Sequence, residues 1–316
     1  MSLITAFAPS ASLDVAYTLD ELMPGKIHRP LQVDREAGGK ALNAARAAAV
    51  VGADVQIVAI LGGANGSDIA RRLRNSGIRL TVVPSAAETR MCVSIASLGN
   101  SQLTEVYEYP SSVSDSEWRE SLIALDQALP KQEGWLIVSG GMPHSLPASA
   151  LAEAVKRAQR AGVLVAVDSH GPALAELLAT GAPQVLKVNV AEATEALGLY
   201  GATPTELARE LNLRTSATVV VTDGTRGSVC TDGLRIHHAM PMLDVGAFPV
   251  GSGDSFLGGL VASLALRDPL DKAFRRAVAC ATANALVPGT ARFDRARVEE
   301  LMSHVNIVTT QCSGGS

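Results

Sequence analysis

The strongest constraint on the fold of this chain is the way two hydrophobic periods alternate along it. Short, nearly unbroken apolar runs such as "VQIVAIL" (55–61) and "WLIVSGG" (135–141) take turns with amphipathic stretches of helical spacing. "SDIARRLRNSG" (67–77) reads as a helix with Ser67 as N-cap and Gly77 as stop. "PASALAEAVKRAQRAG" (147–162) reads as a helix opened by Pro147 and closed by Gly162. "VLVAVDS", "QVLKVN" and "ATVVVTDG" (217–224) are further strands and "TELARELN" a further helix, and three helices follow near 252–266, 270–287 and 294–304. Strands without polar alternation are buried on both faces, which is the pattern of a parallel sheet covered by helices on each side. The expected class is therefore α/β, with ligands bound beyond the carboxyl ends of the strands.

Two segments break the alternation. Residues 13–35 and 89–109 read as β-strands with no helix between them, enough for a small sheet that projects from the main body as a lid, a dimer surface or both. The 316 residues are 47% hydrophobic, ample for a large core. A net charge of -4 and only 3% aromatics argue against nucleic acid, and no basic cluster suits an anionic membrane. No apolar run is long enough to span a bilayer. "MSLITAFAPSASLD" lacks the basic start and apolar core of a signal peptide. Cys92, Cys230, Cys280 and Cys312 form no C-x-x-C pair and read as reduced thiols, so a cytoplasmic protein is expected. The tail "TTQCSGGS" reads as frayed.

Five stretches carry candidate chemistry. In "FPVGSGDSFLGG" (248–259), Gly251, Ser252 and Gly253 lead into a helix whose first N–H groups suit an anion, above all a phosphoryl group. Asp254, in the first turn, is placed to take a proton from a hydroxyl; by itself the stretch reads better as a capped helix than as an active site. It is not a Walker A loop, a G-x-G-x-x-G fingerprint or a G-x-S-x-G elbow, so Ser255 is read as structural. "AGGKALNAARAAAVVGA" (37–53) sets Gly38, Gly39, Lys40 and Asn43 at the start of an Ala-rich helix. In "KVNVAE", Asn189 and Glu192 share a helix face, either as a capping box or to orient waters on Mg²⁺. "TDGTRGSV" brackets a tight turn with Gly224 and Gly227, and "ETRMCVSI" puts Arg90 at a strand edge.

Together and in this order, these stretches resemble the PfkB, or ribokinase-like, carbohydrate kinases. "AGGKALNAARAAAVVGADVQIVAILGG" resembles the N-terminal signature of that family, "VGSGDSFLGGL" its C-terminal one and "KVNVAE" its Asn-x-x-Glu motif. "LDELMPGKIHR", "AETRMCVSI" and "ANALVPGTARFD" are similar to its 1-phosphofructokinase and tagatose-6-phosphate kinase branch. The resemblance implies one ribokinase-like domain over 1–316, a three-layer α/β/α sandwich with a β-lid from about 13–35 and 89–109. It implies ATP and Mg²⁺ as cofactors, admits a monovalent cation such as K⁺, and implies a sugar phosphate as substrate and a homodimer through the lid. It also implies roles: Asp14, Gly38, Gly39 and Asn43 at the sugar; Lys40 and Arg90 at the substrate's phosphate; Asn189 and Glu192 around Mg²⁺ through water. Asn189, Thr222, Gly224, Gly227 and Asn284 would border the nucleotide, Gly251, Ser252 and Gly253 would form the anion hole, and Asp254 would be the base.

The chain departs from the family pattern at three places. Ala41 replaces the last glycine of G-G-K-G, with a methyl expected to tighten the sugar pocket; Ser10 and Ala11 stand in place of Asn and Pro; Phe248 and Pro249 stand in place of small polar residues. The expected reaction is ATP-dependent phosphorylation of a ketohexose phosphate, fructose 1-phosphate first. Tagatose 6-phosphate, fructose 6-phosphate, an unphosphorylated sugar or nucleoside, or binding without turnover are the alternatives.

Overall fold

In the computed structural model, which describes residues 2–130, 132–240, 242, 246 and 248–312, the alternation becomes a twisted sheet between two helical layers. The elements are β1 (Leu3–Ala8), β2 (Ser12–Leu19), β3 (Gln32–Gly38), α1 (Lys40–Val50), β4 (Val55–Leu61), α2 (Gly63–Asn75), β5 (Arg79–Pro84), β6 (Met91–Ser97) and β7 (Gln102–Tyr107). They continue with α3 (Asp115–Ala128), β8 (Gly134–Ser139), α4 (Ala150–Arg160), β9 (Leu164–Asp168), α5 (Gly171–Thr180), β10 (Val185–Asn189), α6 (Val190–Leu197), α7 (Pro204–Thr215) and β11 (Thr218–Thr222). The last are β12 (Ser228–Thr231), β13 (Arg235–Ala239), α8 (Ser252–Ala265), α9 (Leu270–Ala285), α10 (Arg295–Met302) and β14 (Ile307–Gln311).

The large sheet has ten strands in the order β14-β13-β12-β11-β10-β9-β8-β1-β4-β5. It is parallel from β11 to β5 and antiparallel from β11 to β14. The unbroken apolar runs are explained by two cores, one on each face. In β1, Ile4 and Ala6 enter one core while Phe7 enters the other; in β4, Ile57 and Ala59 oppose Val58 and Ile60. Helices α1, α2, α8, α9 and α10 cover the first face and α3 to α7 the second. Alanines let α1 lie close to α8. A Cβ at Gly258 would press on the Ala44 carbonyl and on Ala47 Cβ at 3.0 Å, so α8 tolerates a glycine that costs roughly 1 kcal/mol in an ordinary helix.

The segments at 13–35 and 89–109 supply a separate four-stranded sheet in the order β3-β2-β6-β7. Its centre pairs β2 and β6 in parallel, and its outer pairs are antiparallel. β2 begins four residues beyond the carboxyl end of β1, so the small sheet stands over the end of the large sheet where ligands are expected.

Several boundaries differ from expectation, each for a local reason. Helix α2 starts at Gly63, not at Ser67, because the Glu88 carboxylate caps it from outside, accepting from Ala64 N and from Asn65 N at 2.6 Å. Ser67 lies inside, donating to Gly63 O. Pro147 precedes α4 in a turn closed by Ala150 N to Pro147 O at 3.0 Å. Thr309–Gln311 of the tail is not frayed but pairs with β13, and 313–316 lie outside the described residues. All four cysteines are free. No described helix is long and apolar enough to cross a membrane.

Candidate active site

The N-terminus of α8 is the centre of the site. Gly251 is its N-cap with φ of 78°, a left-handed conformation natural to glycine, and no side chain caps the helix. A Cβ there would also meet Thr290 Cγ2 at 2.7 Å. Asn284 holds the turn from beneath. Its Nδ2 donates to Val250 O at 2.7 Å and Ser252 Oγ at 3.3 Å, and its Oδ1 accepts from Ala291 N at 2.8 Å and Ser255 Oγ at 3.1 Å. With that amide fully used and the residue wholly buried, Asn284 is placed here as the support of the loop. Ser255 is bound to it and equally buried, as a structural serine should be.

Asp254 is 7% exposed, and its Oδ2 accepts from Asn43 Nδ2 at 2.9 Å. Burial raises its pKa to about 6; the Lys40 ammonium pulls against that shift, Asp168 adds to it, and Asn43 and Lys187 oppose it. Lys40 and Asn43, one turn apart at the start of α1, point the same way. A lysine at a helix N-terminus opposes the helix dipole. It is held there by Asp168 Oδ1 at 3.2 Å and Glu192 Oε1 at 3.6 Å, and Asp168 raises its pKa further than burial lowers it. Asp168, at the carboxyl end of β9, is 1% exposed and also pairs with Lys187 from the adjacent β10. Burial would lift the Asp168 carboxyl, but the two ammoniums hold it below the usual range. The result is a cluster in which Lys187, Asp168 and Asp254 are buried and Lys40 and Glu192 are partly exposed.

On one side of this cluster, a cavity opens under the small sheet. Asp14, Glu36, Cys92 and Tyr107 line it from the sheet, and Phe248, Val250 and Thr290 from the main body. Asp14 accepts from Ser12 Oγ at 2.6 Å. Burial raises the Asp14 pKa, and Ser12, Arg46, Arg90 and the Gly39 N–H offset part of that rise. Gly38 lies so close that any Cβ there would enter the Asp14 carboxylate, and Gly39 turns the chain into α1 with φ of 94°. Arg90 Nη1 donates to Glu108 O at 3.2 Å, leaving its buried Nε without a partner. Asn43 Oδ1, Ser10 Oγ and Ser139 Oγ, the last at the carboxyl end of β8, are likewise buried and unpartnered. Each such atom costs about 1–3 kcal/mol unless a ligand or water satisfies it. The Ala41 methyl, by contrast, lies in the apolar core and not on the cavity wall.

On the other side lies a cleft of about 350 Å³. Asn189, Thr222, Gly224, Gly227, Ser252 and Gly253 make its polar end, and Met240, Val278, Ala281 and Ala285 its apolar end. Asn189 and Thr222 are register partners at the carboxyl ends of β10 and β11. Asn189 caps α6: its Oδ1 accepts from Glu192 N at 2.9 Å while Glu192 Oε2 accepts from Asn189 N at 2.8 Å. The capping box is therefore real, and only Glu192 Oε1 is turned toward Lys40. Of the departures from the family pattern, Phe248 lines the cavity, Pro249 the cleft, and Ser10 and Ala11 a separate small pocket.

Asp168 and Lys187 were not singled out as site residues from sequence, where they fell inside strands. The available signal was an ionisable residue in an otherwise apolar β-run, which a buried strand tolerates only when the charge is paired.

A family model for the pfkB family carbohydrate kinases matches residues 8–296. A tagatose-6-phosphate kinase of Staphylococcus epidermidis is 26% identical over 97% of this chain and 99% of its own. Two structures of phosphofructokinase-2 from Escherichia coli, one in complex with potassium and one with substrates and products, superpose with TM-scores of 0.89 and 0.90. Each is 24% identical and covers 96% of this chain and 99% of its own. The fold, the order of the motifs and the family match agree: the chain belongs to the pfkB family of carbohydrate kinases and is a phosphotransferase.

Proposed function

We propose that this kinase transfers the terminal phosphoryl group of ATP to a hydroxyl of a ketohexose monophosphate. The observation that carries the reading is the way residues 248–253 divide two compartments. Phe248 and Val250 face the cavity under the small sheet, while Pro249, Ser252 and Gly253 face the cleft. Asp254 follows directly, so one carboxylate stands where an acceptor and a donor would meet.

The residues fit the implied cofactors. The cleft offers apolar walls for a base and the α8 N-terminus for phosphates. Among the described residues no group of three or more His, Cys, Asp or Glu is placed to hold a metal alone. Magnesium would arrive with the nucleotide, as it commonly does, with Glu192 Oε1 beside it and Asn189 contributing through the cap. When bound, the metal neutralises phosphate charge.

The chain's own residues supply the rest. Asp254, ionised above pH of about 6, takes the hydroxyl proton. In the turn of Gly251, Ser252 and Gly253, the Gly251 and Gly253 N–H groups meet the phosphoryl oxygens while the Ser252 N–H closes the turn onto Pro249 O at 3.1 Å, and Lys40 and Lys187 offset the charge in transit. Asp14, Gly38, Gly39 and Asn43 hold the sugar. Arg90, with its unpartnered Nε, meets the substrate's phosphate, whereas Lys40 is turned toward the carboxylates of the transfer site. The small sheet then acts as a lid that excludes water, and its exposed Leu31, Val33 and Val106 are assigned to pairing with a second copy.

The branch resemblance puts fructose 1-phosphate first, giving fructose 1,6-bisphosphate, and the relatives named as tagatose-6-phosphate kinases bring tagatose 6-phosphate beside it. Coupled turnover with each, with fructose 6-phosphate and with the unphosphorylated sugars, in the presence and absence of K⁺, separates them. Arg90→Ala is expected to raise KM for the phosphorylated substrate at least about tenfold. Equal weakening of phosphorylated and free sugars would show that Arg90 does not read the phosphate.

A further inference from the structure

The small sheet is not joined to the body only through its own chain connections. Arg46, on α1, is largely buried and reaches two structures at once. Its Nη2 pairs with Glu36 Oε2 of β3 at 3.1 Å, and its Nη1 donates to Ala37 O at 3.0 Å and to Thr290 Oγ1 at 3.4 Å. Arg292 adds a second tie, with Nη1 2.6 Å from Asp34 Oδ1 and Nε 3.7 Å from Glu36 Oε1. Strand β3 is thus fastened to residues 290–292.

The same short segment braces the phosphate-binding turn. Thr290 packs on Gly251, and Ala291 N donates to the Asn284 amide that also holds Val250 and Ser252. Strand β3 is therefore connected to the start of α8 through the segment 290–292. Partly exposed ion pairs stabilise little by themselves, yet a chain of them joins two parts of the molecule. Here the parts are the cover of one compartment and the wall of the other.

We propose that Arg46 and Arg292, with Glu36 and Asp34, form a latch that couples the seating of the small sheet to the geometry of the turn at 250–253. They are positioning residues, acting through Thr290 and Asn284 without touching the reacting atoms. The assignment rests on the kinase reading above for its effect on turnover, but not for its effect on structure. With the latch made, the turn is held for transfer only when the sheet is seated. With it broken, the sheet and the turn loosen together, and transfer to water competes with transfer to the sugar.

The test uses Arg292→Gln and Asp34→Asn, which remove the more exposed tie and leave Arg46 in place, together with their double variant. Hydrogen exchange of the ligand-free protein is expected to rise in both 32–38 and 250–255. The double variant is expected to match Arg292→Gln, which by itself removes the contacts to both Asp34 and Glu36. In turnover, kcat falls about tenfold with KM for ATP nearly unchanged, and the ratio of ATP consumed to sugar phosphorylated rises. Faster exchange confined to 32–38, or additive effects in the double variant, would overturn the latch. Exchange needs no substrate, so it decides the latch even if no sugar phosphate is turned over, an outcome that would sink the kinase reading instead.

Discussion

At the residue scale, the account turns on Asp254. Its folded pKa is raised from 3.8 to about 6, so the folded protein holds that proton more tightly than the unfolded chain does. The corresponding stability is complete below pH of about 4 and is lost as pH rises through about 6, while the proposed base role needs the ionised form that dominates above it. Two opposite consequences follow for Asp254→Asn. Turnover should fall on the order of 10²- to 10⁴-fold. Thermal stability at pH 8 should rise, by roughly 1–3 kcal/mol from the removed desolvation cost, with the gain shrinking toward pH 4. In the unchanged protein, kcat/KM should climb with pH through a midpoint near 6. A pH-independent rate between 5 and 7 would contradict the assignment. Gly38→Ala tests the other compartment: its methyl displaces the Asp14 carboxylate, so KM for the sugar should rise about tenfold or more while KM for ATP holds. Equal effects on both would mean that the substitution had disturbed the whole site.

At the element scale, the capping box of α6 does two tasks with one glutamate. Glu192 Oε2 caps the helix, and Oε1 faces Lys40. Glu192→Gln retains an acceptor for the Asn189 N–H but loses the charge, so folding should be nearly unchanged while the Mg²⁺ concentration for half activity rises several-fold, about threefold or more. A matching loss of thermal stability would reduce Glu192 to a cap. The elements also show which features were legible beforehand. The buried strands and the α8 turn could be read because their signals are local: apolar runs, glycines and an acid in a first turn. The start of α2 could not, because its cap comes from Glu88, 25 residues beyond Gly63. Asn284 was placed at the nucleotide by resemblance, yet its position under the turn depends on the return of the chain after α9. Asp168 and Lys187 were hidden in apolar strands for the same reason: pairing across β9 and β10 is not written in either strand.

At the scale of the whole molecule, the segments without helices became the small sheet, and what the sequence did not show was how that sheet is tied to the body. Its apolar outer residues bear on assembly. On the proposed pairing of the small sheet with a second copy, Val33→Glu with Val106→Glu is expected to shift that dimer toward monomer in sedimentation, since both residues are exposed. An unchanged assembly would move the interface elsewhere. The direct test of the central claim is ATP-coupled turnover over a panel of ketohexose monophosphates and their unphosphorylated counterparts, run on the unchanged protein and on Asp254→Asn. Phosphorylation of a ketohexose monophosphate well above the free sugars, nearly abolished in Asp254→Asn with substrate binding retained, is the predicted result. A preference for unphosphorylated sugars, or full turnover in Asp254→Asn, would contradict it.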